Sequence, residues 1–462
     1  MEARREAIEY LKELGLQVAS KELQGHTIPA ISGRHSFVQY SFRNGRVTHF
    51  EVKAATVSFQ PPHSLFLKLA AHLRVEGDYK VSAIVILSNK GQVRATGAVS
   101  AEVKVSFRSS QTGVAEAVIG DCRSSIGSLD IHFTGGIISD IINLFSGLIS
   151  DVIKGTLKGK VCAQMNTLEG YFNKKLAALP KSITSSNDIL RGFYIDYSLL
   201  GSPAVKENVA LLPLKGKVWY KGHENDQQIP KATATPMSTS DTHKMLCFNL
   251  NVPAVAGSAG YALLVSKKAN LVLDEATLRK QHIEKVLEIL KCDCSALLCL
   301  TDVIAETKSH CPTGGVLQPS VTFTAPSVAT ATPSGIALSV NGEMDFAVKT
   351  KQAKTEPLFT LNFNAKCRIG KDVSLANWTL TGKVSITKLK VTLKSSKIGK
   401  IPEDELAGLS LVRVILQSAI RRMTSMGFAL PPIPELQVLK PNVHFSKDTA
   451  SVCFDFKYTG PI

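Results

Sequence analysis

The stretch ISDIINLFSGLISDVIK at 138–154 decides how the rest of the chain is read. Ile138, Ile141, Ile142, Phe145, Leu148, Ile149 and Val152 recur at three- and four-residue steps, while Asp140, Asn143, Ser146, Ser150, Asp151 and Lys154 take the opposite side. At 3.6 residues per turn this spacing gathers the apolar side chains on one face, so the stretch predicts an amphipathic helix. The stripe is wide and aliphatic and needs an apolar surface, either a packed sheet or a bound lipid tail. The helix is expected to bend around Gly155 and Gly159 and to stop at Pro180.

Working outward, Ile8, Leu11, Leu14 and Val18 share the face of a first helix that ends near Gly25. Val99, Ala101, Val103, Val105 and Phe107 alternate with polar neighbours, the pattern of a strand with one face to water. Asn89-Lys90-Gly91, between two apolar runs, predicts a hairpin turn, since Asn and Gly tolerate positive φ. Residues 190–272 read as strands interrupted by a polar stretch at 222–242, which is taken as a linker between units 1–221 and 243–462. Beyond it the order repeats: a helix around 277–291, strands from 321 to 393, and a helix from Pro402 to Met426 with Leu409, Val412, Leu416, Ile420 and Met423 on one face. Val452, Phe454, Phe456 and Tyr458 form a last strand. The chain is thus a duplicated architecture, an α+β fold in which curved antiparallel sheet and two helices recur.

A chain of 462 residues exceeds what one core normally organises. Its formal charge of +16 favours anionic partners. The excess is spread over both halves, and it is densest at Lys383, Lys388, Lys390, Lys394, Lys397 and Lys400. There Val384 and Ile386 alternate on one parity and Leu389, Val391 and Leu393 on the other, which predicts a bulge near Lys388. The lysines read either as the solvated face of an edge-protected strand or as a headgroup-binding stripe. No run of 18 apolar residues occurs. Residues 1–20 lack the apolar core of a secretory signal, so a secreted product would be a mature or trimmed form.

Catalytic motifs fail one by one. Ala256-Gly257-Ser258-Ala259-Gly260 lacks the first glycine of a nucleophile elbow, and Gly155 to Val161 has the wrong spacing for a phosphate loop. Basic charge without interleaved aromatics or a reader module argues against nucleic acid. Of the nine cysteines, Cys292, Cys294, Cys299 and Cys311 with His310 could bind zinc, but the spacing fits no standard module and local disulfides or buried thiols are the other reading. Cys247, Cys367 and Cys453 sit in strand-like stretches and read as small buried hydrophobes.

Four segments, with the Cys122 and Cys162 pair, carry a family resemblance: GFYIDYSLLGSPAV at 192–205, LKGKVWY at 214–220, LKSSKIGKIPEDEL at 393–406 and GFALPPIPELQVLKPNVHF at 427–445. In their order and spacing the chain resembles the lipid-binding family of bactericidal/permeability-increasing, lipopolysaccharide-binding, phospholipid transfer and cholesteryl ester transfer proteins. The resemblance implies an elongated boomerang of two barrel-like domains joined by a central sheet, each holding a phospholipid between sheet and helices. It also implies secretion into an extracellular fluid and a Cys122–Cys162 disulfide, worth about 3–4 kcal/mol for a loop of roughly 40 residues. Asn377-Trp378-Thr379 is a glycosylation sequon consistent with secretion.

On that resemblance Leu11, Leu14, Val18, Ile142, Phe145, Ile149 and Val152 are the expected lipid-contacting residues of the first unit. Val286, Leu287, Leu290, Val412, Leu416 and Ile420 are those of the second. Relatives that bind lipopolysaccharide carry clustered cations at the tip of the first domain. Here VEGDYKVSAIVILSNKGQVR at 75–94 leaves Lys80, Lys90 and Arg94, with Glu76 and Asp78 nearby and Arg34, Arg43 and Arg46 in reach. The expected protein is a monomeric, non-enzymatic phospholipid binder that engages lipopolysaccharide or another anionic lipid surface in antibacterial defence. No cofactor or metal is expected, only a bound phospholipid as ligand and peripheral membrane contact. Lipid transfer between particles and a structural role in a secretion are the alternatives.

Overall fold

Long period-two stretches dominate the first third of the chain, and they form long strands. The computed structural model describes residues 1–462 apart from 36–37, 84–86, 136–138, 178–181, 185–190, 232, 234, 236–242, 269, 281–283, 296–298, 353, 403–409, 425–426 and 461–462. Val38–Gln60, Ser64–Ala83, Leu87–Ser109 and Ala115–Phe133 run antiparallel in one sheet, each 19 to 23 residues long. Register shifts at Arg43/Arg46, Val47/His49 and Val52/Ala54 insert bulges that bend the first of these strands. Helix α1 (Arg5–Leu23) and helix α2 (Ser139–Ala177) accompany this sheet.

The seam of α2 runs at four-residue steps: Phe145, Ile149, Ile153, Leu157 and Val161 are buried against Leu73, Val75 and Val99. Val152, expected in the stripe, is only partly buried at its margin. Helix α2 is not broken at Gly155 and Gly159 but continues through both. Each glycine is exposed with open space around it, so neither meets a neighbour that would force a kink. The Cys122–Cys162 disulfide ties α2 to the strand beside it, with Cα atoms 5.8 Å apart.

The hairpin turn also lies elsewhere. Lys80 pairs with Lys90 and Ala83 with Leu87, so Asn89-Lys90-Gly91 sits within a strand and not at a turn. Gly91 is needed for a different reason: a Cβ there would come 2.2 Å from the carbonyl oxygen of Thr134.

The second half repeats the plan. Asn270–Val272, Val316–Phe323, Gly335–Lys349, Thr355–Ala376, Thr379–Ser396 and Phe428–Ala429 follow one another across a sheet, with Val328–Thr332 also paired to Gly335–Lys349. The expected bulge is present: Lys366 faces Lys388 but Cys367 faces Ile386, so Thr387 is the extra residue. The helix expected at 277–291 is described as α4 (Glu275–Lys280) and α5 (Glu284–Leu290), and the last helix as Ser410–Thr424. The acidic first turn expected at 403–405, and Leu409, lie outside the described residues.

A six-stranded sheet joins the halves, in the order Ala204–Lys206, Val209–Leu211, Glu2–Arg4, Leu246–Asn251, Thr449–Tyr458, Leu436–Ser446. Phe248, Val452, Phe454 and Phe456 form its core, and Trp378 packs edge-on against Phe454. Two expectations fail here. Cys247 and Cys453 are not thiols: they face each other across adjacent strands as a disulfide. Residues 252–265, read as strand, are helix α3 (Val252–Val265), started by the Asn251 side chain accepting from the Ala254 amide and by Pro253 in the first turn.

Candidate lipid-binding site

Helix α1 leaves part of its apolar face uncovered, as α2 does at Phe172 and the last helix at Val414. Its amino-terminal end is fixed on the central sheet, where Ala7 is buried and the Tyr10 hydroxyl accepts from the Tyr458 amide at 3.0 Å. Lys12 then reaches the Ala55 carbonyl at 3.1 Å and pairs with Glu9 at 2.8 Å. Past that anchor the apolar side chains stay partly open: Leu11 is 39% exposed, and Leu14 and Leu16 are half-buried. Between α1 and the strand Val38–Gln60 lies an open groove of about 530 Å³, in which Leu16, Phe50, Val52 and Ala54 are interleaved with Glu13, Lys21, Glu51 and Lys53. A second of about 480 Å³ shares Ala54 and Ala55 with it and continues along Leu69, Ala101 and Ser124. Volumes of roughly 300–1,000 Å³ accommodate small organic ligands. Lys68, Glu102 and Arg123 line the second cavity; Lys68 and Glu102 pair at 3.0 Å, and Glu102 faces Arg123 in register.

The expected lipid-contacting residues separate into two groups. Leu11 and Leu14 lie on the open helix, whereas Phe145 and Ile149 are buried in the first core. Phe145 sits in an aromatic cluster, 5.7 Å from the Tyr40 and Phe133 ring centroids and 6.0 Å from that of Tyr79. The side chains of Val18 and Ile142 lie outside the described residues. In the second half Val286, Leu287, Leu290, Val412, Leu416 and Ile420 are all within the packed core, none more than 4% exposed. Leu16, Phe50, Tyr40, Tyr79 and Phe133 were absent from the sequence-derived set. Tyr40, Tyr79 and Phe133 could have been found as inward positions of strands, but only register shows that they meet.

The expected headgroup residues share the exposed face of the first sheet. Lys80 stands directly opposite Lys90 and also opposite Ser41. The next rungs hold Arg43, Asp78 and Gln92, then Arg46, Glu76, Arg94 and His132. Arg94 is neutralised by Glu76 at 2.8 Å, and Asp78 accepts from Asn44 at 2.8 Å. Lys80, Lys90, Arg43 and Arg46 form no ion pair among the described residues. Directly opposed like charges on one sheet face are unfavourable unless an anion lies between them. Beneath them Tyr79 donates to the Thr134 carbonyl at 2.8 Å, and burial pushes its phenol above the ordinary value of 10.0, so it stays a donor. Asn377 is exposed in the turn between two strands of the second sheet, at φ 47°.

The remaining motifs have structural roles. Ser258 of the glycine-rich segment is fully buried in α3, where its hydroxyl accepts from the Val218 amide at 3.1 Å and donates to the Val255 carbonyl at 3.0 Å. Gly260 lets the Ser327 backbone pass within 2.4 Å of where a Cβ would stand. Cys292–Cys311 and Cys294–Cys299 are disulfides, so zinc has no thiolates there.

Two pseudo-symmetric half-barrels on a shared sheet, with an amphipathic groove and a cationic face, define a lipid-binding class of protein. The chain belongs to the LBP / BPI / CETP family: its N-terminal domain matches residues 7–173 and its C-terminal domain residues 187–458. Among curated relatives, bactericidal permeability-increasing protein of Sebastes schlegelii is 21% identical over 98% of this chain and 93% of its own. Lipopolysaccharide-binding protein of Bos taurus is 23% identical over 96% and 90%, and phospholipid transfer protein of Mus musculus 25% identical over 51% and 47%. A crystal structure of lipopolysaccharide binding protein superimposes with a TM-score of 0.61 at 21% identity, covering 99% of this chain and 98% of that one. The family comprises lipid-binding and transfer proteins and not enzymes.

Proposed function

We propose that this protein is secreted and binds phospholipid through its acyl chains, with lipopolysaccharide as an anionic ligand of the first half in antibacterial defence. The observation that carries the reading is α1, whose Leu11, Leu14 and Leu16 remain partly open beside an open groove of about 530 Å³, whereas the stripes of α2 from Phe145 to Val161 and of the last helix from Val412 to Ile420 are packed away. Each acyl methylene moved from water into such a groove is worth about 0.8 kcal/mol, so tails can be held with few polar contacts. Capture then has two parts: Lys80, Lys90, Arg43 and Arg46 attract the phosphates, and the groove takes the tails. Four disulfides support an oxidising compartment and hence secretion.

Native mass spectrometry on protein purified without detergent, with solvent extraction of the same sample, tests the reading. A phospholipid-sized adduct, and lipopolysaccharide binding that weakens with salt and in K80E/K90E, are expected. A bare polypeptide mass that takes up no added phospholipid would sink it and leave the structural role in a secretion ahead. The likeness to phospholipid transfer protein supports a second reading, in which the same groove moves lipid between particles. Net transfer of labelled phospholipid from donor to acceptor vesicles separates moving from holding.

A further inference from the structure

We propose that the outer face of the carboxy-terminal sheet is a second anion-binding surface, one that seats the protein on bilayers containing anionic phospholipid. Three successive outward rungs carry it. Arg368 faces Ser385, Lys366 faces Lys388, and Asn364 faces Lys390, all on the strands Thr355–Ala376 and Thr379–Ser396. The four cations are exposed. From strand geometry they occupy about 14 Å along the strands and about 5 Å across them.

The bulge at Thr387 creates this surface. Ahead of it Val384 and Ile386 point into the core; without the extra residue Lys388 and Lys390 would continue that inward parity. The shift turns both lysines outward, beside Lys366, and leaves Leu389, Val391 and Leu393 to pack on the core. Thr387 secures the bulge by donating to the Lys366 carbonyl at 2.9 Å.

Nothing within the sheet neutralises the result. Among the described residues Lys366, Arg368, Lys388 and Lys390 form no ion pair, and Glu343, one rung beyond, is held by Lys394 at 2.6 Å. Lys366 and Lys388 are directly opposed, an arrangement that costs stability until an anion joins them. Protection of a free edge does not account for the charges. Lys366 and Arg368 lie on an inner strand, paired on both sides. The outer strand is already covered, because the Gln417 carboxamide bonds to the Ile386 amide at 2.8 Å and to the Val384 carbonyl at 2.7 Å.

One apolar residue selects a bilayer over a linear polyanion. Val328 is 66% exposed and faces Ser339, which faces Lys366, so it ends the same rung as the lysine pair. A bilayer surface offers phosphates to the cations and an apolar interface to the valine; a sulfated polysaccharide offers only the anions. The surface is on the other half of the molecule from Lys80 and Lys90 and stands whether or not those residues bind lipopolysaccharide.

Cosedimentation of the full chain with phosphatidylcholine vesicles, with and without phosphatidylserine, provides the test. K366Q/K388Q/K390Q should lower affinity for the phosphatidylserine vesicles by roughly 100-fold, at about fivefold for each cation removed near a charged surface. K80Q/K90Q should retain the larger part of that binding, and V328S should lose up to roughly tenfold, the scale for a buried valine. Circular dichroism establishes that the variants fold. Wild-type vesicle binding by the triple variant would overturn the proposal, as would equal wild-type binding to vesicles of phosphatidylcholine alone. So would a triple variant that loses only heparin binding, which would make the surface one for sulfated glycans.

Discussion

Asn173 takes the place of a neighbouring strand for Ala117: its side-chain oxygen accepts the Ala117 amide and its side-chain nitrogen donates to the Ala117 carbonyl, each at 2.8 Å. Glu169, one turn earlier on α2, accepts the Ile119 amide at 2.7 Å. In the second half Gln417 does the same for Ile386 and Val384. In both halves a helix carboxamide thus closes the last long strand, whose backbone groups would otherwise end the sheet unpaired. Asn173→Leu should leave both Ala117 groups without partners and cost about 1–3 kcal/mol. Urea denaturation reads the cost, and hydrogen exchange should quicken at Ala117 first.

What could be read from sequence were the elements whose side chains repeat with a period. Helix α2, the alternating strand around Val99 to Phe107 and the bulge at Thr387 all announce themselves in this way. Helix α3 does not, because its run of small residues packs on several sides, with Gly257 against Pro230 and Gly260 against Ser327, and shows no polar face. The register of Lys80 against Lys90 was equally hidden, since Asn89 and Gly91 mimic a turn while lying within a strand. The headgroup candidates could be chosen by charge, but which of them are already neutralised, as Arg94 is by Glu76, depends on strand pairing.

The central sheet carries a buried ion pair. Arg4 lies 3.3 Å from Glu2, at 7% and 2% exposure, and Asn249 also donates to Glu2. Removing one member takes from the other a charge partner held away from water, so Glu2→Ala should destabilise the chain by up to about 3–5 kcal/mol. Replacing both with apolar residues of similar volume should be much milder. Equilibrium denaturation of the single and double variants distinguishes the two costs.

Tyr261 of α3 and His223 converge on Asp226, the hydroxyl at 2.7 Å and the ring nitrogen at 2.9 Å from the same oxygen. The Tyr261 hydrogen bond, followed by that of His223, holds the Asp226 carboxyl below its ordinary value of 3.8. A carboxyl depressed by folding adds stability above its unfolded value, and that stability is lost as pH falls through the folded one. Acid should therefore loosen the segment 223–229 from α3, and Tyr261→Phe should move the Asp226 titration upward. A carbon-detected NMR titration of the carboxyl measures the move; an unchanged midpoint would refute the coupling.

Cys247 and Cys453 lie 206 positions apart, so their pairing is a property of the sheet and not of local sequence. It joins the strands Leu246–Asn251 and Thr449–Tyr458 within the hydrophobic centre of the molecule, and removing it should cost about 2–5 kcal/mol. With the other three bridges it accounts for eight of the nine cysteines and leaves Cys367 free. Cys367 is buried in the second core, and burial pushes its thiol up to about 11. A thiol with so little thiolate near neutral pH, and so little access, should resist alkylation in the native protein. Thiol titration of the unreduced chain should accordingly give no reaction when folded and one equivalent in denaturant. Three equivalents in denaturant would mean that one of the four bridges is open, and mapping the alkylated peptides would show whether it is Cys247–Cys453.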